Sequence, residues 1–223
     1  MTQTAGMAYR EAETGLSRVG QRFTDYQTLT VKQRKNWWEV LLNFEQNNRY
    51  VVLGNRLGAA FEVVEQGDGF LSLLKRLFLG TARPFTAFVT DMRRDTLAMR
   101  LHRRWRWFFP RLDVHDGNDE PVAFIEAQWA WFQRRFTVCD AQGAVMGEIV
   151  GPFFKPWTFE LTVGGQVIGR IQKKWSGLLK EAFTDADNFE VTFSQDLDPR
   201  WKALSLAAAV LIDVAHFERA KNG

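Results

Sequence analysis

The feature that most constrains this chain is a spacing. Turn signals begin at Asp91, Asp116, Asp140 and Gly164, at intervals of 25, 24 and 24 residues. Each sits between runs in which apolar and polar residues alternate, the pattern of a strand with one buried face. Arg135 to Gly151 turns through Asp140-Ala-Gln-Gly143, and Trp157 to Lys173 turns at Gly164-Gly165, a strong two-residue hairpin signal. Thr86 to Leu101, Arg111 to Trp129 and Arg49 to Glu65 read the same way around Asp91–Asp95, Asp116–Glu120 and Gly54–Gly58. Five hairpins supply ten strands. Phe189 to Phe193 alternates strictly and adds another, and a further one is expected around Glu39 to Phe44. About twelve antiparallel strands must protect their edges, and closure into a barrel does this best.

A barrel of that size is too wide for its own side chains to fill. The chain supplies a filler. Asp198 is a good N-cap and Pro199 a good first helical residue, so a C-terminal helix is expected over 199–219. Between Lys202 and Asp213 only Ser205 is polar, and Ala203, Ala207, Ala208 and Ala209 keep the rod thin. A helix apolar on all sides is wrapped in protein or in lipid, and ten such residues cover ~15 Å, about half a bilayer core. The expected buried set is Leu204, Leu206, Val210, Leu211, Ile212 and Asp213. The fold class is thus mainly β: a closed antiparallel barrel of about twelve strands around a buried hydrophobic C-terminal helix. The barrel domain is expected to span 29–223, with residues 1–28 a mobile tail that lacks hydrophobic periodicity.

Composition narrows the function. With 19 Phe and 9 Trp in 223 residues, disorder is excluded. Cys139 is the only cysteine, so no intrachain disulfide forms, which fits a cytoplasmic setting. No run reaches the ~20 apolar residues of a spanning helix, so peripheral association with the plasma membrane is the expected membrane relation. The histidines (His102, His115, His216) have no metal spacing, and no nucleophile or phosphate-loop motif is present. Bond-making catalysis is therefore not expected.

The net charge is only +3, but Met92 to Arg111 carries seven arginines against Asp95 alone. Such a field favours anionic partners. Within it Arg100, Arg103, Arg104 and Arg106 interleave with Trp105 and Trp107, a pattern suited to lipid head groups, to cation–π stacking on the barrel exterior or, less favoured, to single-stranded nucleic acid. Phe70 to Leu79 has an apolar face edged by Lys75 and Arg76, as in a short interfacial helix; packing on the barrel wall is the alternative. Lys173, Lys174 and Trp175 make a basic–aromatic corner that suits a phosphate or a plain loop equally.

Several stretches closely resemble the phospholipid scramblase family. The strongest is Val167-Ile-Gly-Arg-Ile-Gln-Lys-Lys-Trp175, continuing through Ser176 to Phe189, then Leu211-Ile-Asp213 and Phe217-Glu218. Glu39-Val-Leu41, Asn47-Asn-Arg-Tyr50 and Ala82-Arg-Pro-Phe-Thr86 are similar to its earlier strands, so the resemblance covers Leu29 to Glu218. It implies a tubby-like barrel and ATP-independent movement of phospholipids between leaflets, stimulated by calcium. The alternative is a non-transporting tubby-like barrel that grips anionic head groups or a protein partner; either allows an oligomer. The family's proline-rich extension and cysteine-rich lipidation segment are missing, as in a stripped, bacterial-type member, and Gly67 to Gly80 holds no cysteine.

The stretch matching the family's proposed calcium site is Asp185 to Asp196. An EF-hand loop needs oxygen ligands at positions 1, 3, 5 and 12 and glycine at 6. Here positions 5 and 6 are Phe189 and Glu190, inside an alternating strand. What is left is a weak site using Asp185, Asp187 and Asp196, and turn or cap chemistry is the favoured role for these residues.

Overall fold

The structure is a computed structural model and describes residues 15–34, 49–55, 58–66, 84–106, 109–129, 133–152, 154–155, 157–174, 188–194 and 196–214. Twelve strands form one closed antiparallel barrel. They are β1 (Thr28–Arg34), β2 (Arg49–Leu53), β3 (Ala59–Glu65), β4 (Phe85–Asp91), β5 (Thr96–Arg103) and β6 (Arg111–Asp116), then β7 (Pro121–Gln128), β8 (Gln133–Asp140), β9 (Val145–Pro152), β10 (Thr158–Val163), β11 (Gln166–Lys174) and β12 (Asn188–Phe193). Each strand pairs with its neighbours in sequence, and β1 closes the ring on β12 with Leu29 opposite Val191 and Val31 opposite Phe189. The barrel and all five hairpins agree with the sequence pattern.

The near-regular turn spacing has a shared local cause. At Asp91, Asp116 and Asp140 one carboxylate oxygen accepts backbone N–H groups from the turn that follows: Arg93 and Arg94, Asn118 and Glu120, Gln142 and Ala144. Each aspartate ends one strand and starts the reversal, which is the turn chemistry its side chain favours.

The strand expected around Glu39 to Phe44 falls outside the described residues; the strand that closes the barrel on β12 is β1, whose short alternation presents Leu29 and Val31 to the core. Residues 15–26, expected in the tail, pack on the barrel instead. A helical turn pair, α1, covers 15–21. Leu16, Val19, Phe23 and Tyr26 are buried, at helix-like steps too sparse to stand out among Arg, Gln and Thr. Phe23 stacks on Phe61 at 4.2 Å and Tyr26 meets the same ring edge-on at 5.6 Å. Arg18 pairs with Asp116 at 3.0 Å, and Arg22 lies 3.7 Å from the buried Asp91. These contacts set α1 across one end of the barrel, over the hairpin turns.

The C-terminal helix, α2 (Pro199–Ile212), starts at that end and runs inward. Asp198 caps it by accepting the Arg200 N–H at 2.9 Å. Its fourteen residues rise ~21 Å. Every residue from Trp201 to Val214 is buried, including Leu204, Leu206, Val210, Leu211, Ile212 and Asp213. Two charged groups mark its ends. Lys202 donates to the Thr24 carbonyl at 3.0 Å, and burial pushes its ammonium below the usual lysine pKa. At the far end the Tyr50 hydroxyl donates to Asp213 at 2.6 Å.

Close fit holds α2 in register. A Cβ on Gly147 would stand 2.5 Å from the Thr162 carbonyl oxygen and 2.7 Å from the Trp201 ring. A Cβ on Gly20 would stand 2.8 Å from the Arg200 nitrogen, so α1 touches the start of α2 through bare backbone. Gly147→Ala is expected to destabilise the fold by ~1–3 kcal/mol through overpacking, whereas Gly58→Ala, with open space around it, should change urea-melt stability by less than ~0.5 kcal/mol. Tyr50→Phe should cost ~1–3 kcal/mol in the same melts, because it deprives a buried carboxylate of a donor.

Candidate functional site

Strand direction sorts the connections into two groups. At the α1 end the reversals are short: 54–58, 92–95, 117–120, 141–144 and 164–165. At the opposite end run 35–48, 66–84, 104–110, 129–132, 153–157 and 175–187. Short tight turns fix the barrel, and the longer connections are free to carry function.

Of the expected calcium set, Asp196 lies among the described residues and Asp185 and Asp187 lie outside them. β12 is extended, and its six residues carry the chain ~20 Å, delivering Asp196 to the α1 end. Asp196 has φ of 60°, a left-handed conformation that Asp tolerates in turns. Lys75, Arg76 and Trp107 also lie outside the described residues.

The arginine field does not form one patch. Arg93 and Arg94 are in a turn at the α1 end, where Arg94 pairs with Asp91 at 2.7 Å and Arg93 covers the Tyr26 ring. Along β5 the side chains alternate, so Arg100 lies on the outer wall beside Asp119 while Arg103 is buried within the barrel. Arg106 pairs with Glu126, and Arg111 pairs with Asp113 at 2.7 Å while covering the Phe124 ring at 3.5 Å. Arg104 is exposed and makes no ion pair among the described residues; Trp105 beside it is 38% exposed. Arg100 and Arg106 are thus paired with carboxylates from other segments, and Arg94 and Arg111 with near neighbours in sequence.

What is brought together is a groove of about 410 Å³ on the outer wall. Arg104, Arg106, Arg111, His115 and Phe124 line it, and it runs from the 104–106 connection down to Pro121 and Ala141. His115 Nδ1 is shielded from solvent and has no hydrogen-bond partner among the described residues. Burial, then the Arg100 charge, lowers the His115 pKa below the usual histidine value; burial and Arg100 do the same to His102, whose Nδ1 lies 2.9 Å from the Thr86 hydroxyl. Asp113 also lines the groove, where Arg106 and Arg111 are already paired with Glu126 and Asp113, so the exposed Arg104 guanidinium is the group best placed to meet an oxyanion such as a phosphate ester.

Two exposed aromatic residues escaped notice in the sequence. Trp129 is 70% exposed and Phe154 is 91% exposed, both at the far end. The signal for them is positional: aromatic residues crowd alternate connections and avoid the turns between.

No helix among the described residues is long and apolar enough to cross a membrane. No solved structure matches the chain. The Scramblase family model matches residues 10–219. Over 212 residues the chain is 32% identical to phospholipid scramblase 1 of Rattus norvegicus, covering 89% of this chain and 62% of the relative. It is 31% identical over 206 residues to phospholipid scramblase 2 of Homo sapiens, covering 86% and 68%. A phospholipid scramblase family protein of Schizosaccharomyces pombe is 26% identical over 231 residues, covering 87% and 60%. The chain therefore spans about three fifths of the rat relative's length. With a family match that runs from α1 through the barrel and past the described end of α2, this chain belongs to the scramblase family.

Proposed function

We propose that the protein moves phospholipids between the leaflets of a membrane without ATP. The supporting observation is that the family match covers the whole closed barrel together with its internal helix, the unit shared with relatives named for this activity. The substrate is a phospholipid and the working place a membrane surface, here read as the plasma membrane approached from the cytoplasm. The folded state sets a condition. With Trp201 to Val214 buried, α2 is not available to the bilayer in this conformation. Transfer then requires either an opened barrel or passage of head groups along the barrel's outside. The wall groove, with the exposed Arg104 at its mouth, supports the second route. Calcium stimulation through a weak site using Asp185, Asp187 and Asp196 belongs to the same reading.

Reconstitution into vesicles carrying a fluorescent phospholipid tests this. An impermeant quencher reaches only outer-leaflet label in protein-free vesicles. The expected result is loss of the protected inner-leaflet signal with protein present, assayed with and without calcium. Protection equal to protein-free controls, with protein bound to the vesicles, would reject transport.

A second reading is favoured by the groove itself: head-group binding without transfer. Its pH dependence has a definite sign. His115 and His102 are held neutral at pH 7 because their pKa values lie below 6.5. Acidification through those values adds positive charge beside Arg100 and Arg104, against Asp113 and Asp119. Binding to phosphatidylglycerol vesicles should therefore strengthen as the pH falls below 6.5, and His102→Gln/His115→Gln should flatten that rise. The same protonation opposes folding, so wild-type stability is present above pH ~6.5 and falls on acidification.

A further inference from the structure

We infer that the arc of the far rim formed by the β5–β6, β7–β8 and β9–β10 connections is the face that seats on an anionic bilayer, with the α1 end pointing away. This rests on the proposed lipid-handling role, and it assigns the contact surface that the role leaves open.

The argument starts from an asymmetry between the barrel's two ends. The stretches 104–110, 129–135 and 152–158 serve three alternate connections on one side of the rim. Their described residues include five aromatic and five cationic side chains and no acidic one. The five reversals at the α1 end hold no aromatic residue at all. A barrel needs neither arrangement to close. The turn end shows what folding alone requires: Asp, Asn and Gly.

The described side chains on this arc are poorly covered. Trp105, Phe109, Trp129 and Phe154 are 38%, 43%, 70% and 91% exposed. Phe109 is held out with φ of 48°, a backbone conformation rarely adopted by a bulky residue. Exposed large apolar side chains gathered in one region mark an interaction surface. Cations stand between them: Arg104 and Lys155 are exposed, and Arg134 reaches the Lys155 carbonyl at 3.2 Å while covering the Phe159 ring. Behind the arc, Lys173 lies over the Trp157 ring.

The chemistry selects the partner. Tryptophan and phenylalanine at the level of lipid head groups, with arginine and lysine among them, complement an anionic membrane surface. The side chains project from three separate connections around a rim, not from one groove, so they fit a broad planar partner. The wall groove opens beside Arg104 on the same arc, which puts its guanidinium groups next to the lipid phosphates.

The test is co-sedimentation with vesicles of phosphatidylcholine, with and without phosphatidylglycerol, over a range of salt concentrations. Trp129→Ser/Phe154→Ser should weaken binding about tenfold or more, a step worth ~1.4 kcal/mol. Arg104→Gln/Lys155→Gln should reduce the salt dependence and the preference for the anionic lipid. Met92→Ser and Val145→Thr/Val167→Thr, at the exposed apolar positions of the α1 end, should change binding less than about twofold. Circular dichroism and melting of each variant confirm folding, which the high exposure of Trp129 and Phe154 protects. Equal losses from both ends, no loss from the rim variants, or rim variants that alter self-association and not vesicle binding would overturn the inference. The leaflet-transfer assay is read separately. Rim-dependent binding without transfer rejects only the proposed activity; transfer with rim-independent binding rejects only this orientation.

Discussion

The structure depends on filling the inside of a twelve-stranded ring. Inward side chains from so many strands cannot meet across the middle, and an empty apolar cavity forfeits the dispersion contacts that hold a core together. α2 removes the problem. Its alanines and Ser205 let the surrounding strands approach, while Leu204, Leu206, Val210, Leu211 and Ile212 supply the bulk. Helix and barrel are therefore one object energetically. Neither has a satisfactory apolar environment without the other, and the glycine at 147 records how closely they fit.

Charge is kept to the two ends of this buried rod. Lys202 is met by a backbone carbonyl from the segment after α1, and Asp213 by the Tyr50 hydroxyl. Each is a buried group that costs stability if its partner is lost. Specificity of depth follows: shifting α2 along the barrel axis by one turn would separate both pairs at once. The apolar middle has no such selectivity, since it is greasy on all sides.

Much of the architecture was legible because its signals are local. An aspartate that accepts its own turn's N–H groups, a Gly-Gly reversal and period-two alternation all act within a few residues, so five hairpins and the helix could be read directly. The failures are non-local. β1 contributes only Leu29 and Val31 to the core and gains its strand character by pairing with β2 and β12. Residues 15–26 show four buried apolar residues whose partners, such as Phe61, lie far along the chain. The arginine field looked unbalanced because Asp119 and Glu126 are brought to Arg100 and Arg106 only by the sheet. The rim aromatics became informative once alternate connections were known to share an end.

The position of α2 in the chain has a consequence for how the protein is made. The barrel's own filler is residues 199–214, so it leaves the ribosome after all twelve strands. β12, needed to close the ring on β1, comes only just before it. Until then the growing chain carries a lining of valines, leucines and phenylalanines with nothing to cover it, and an unpaired β1 edge. Such intermediates are prone to aggregate. Ring closure also joins strands more than 150 residues apart, from Thr28 to Thr192, a contact order that favours slow folding. Synthesis of this protein thus produces an open, sticky half-cylinder that must be kept from other chains until its last segment arrives to be swallowed.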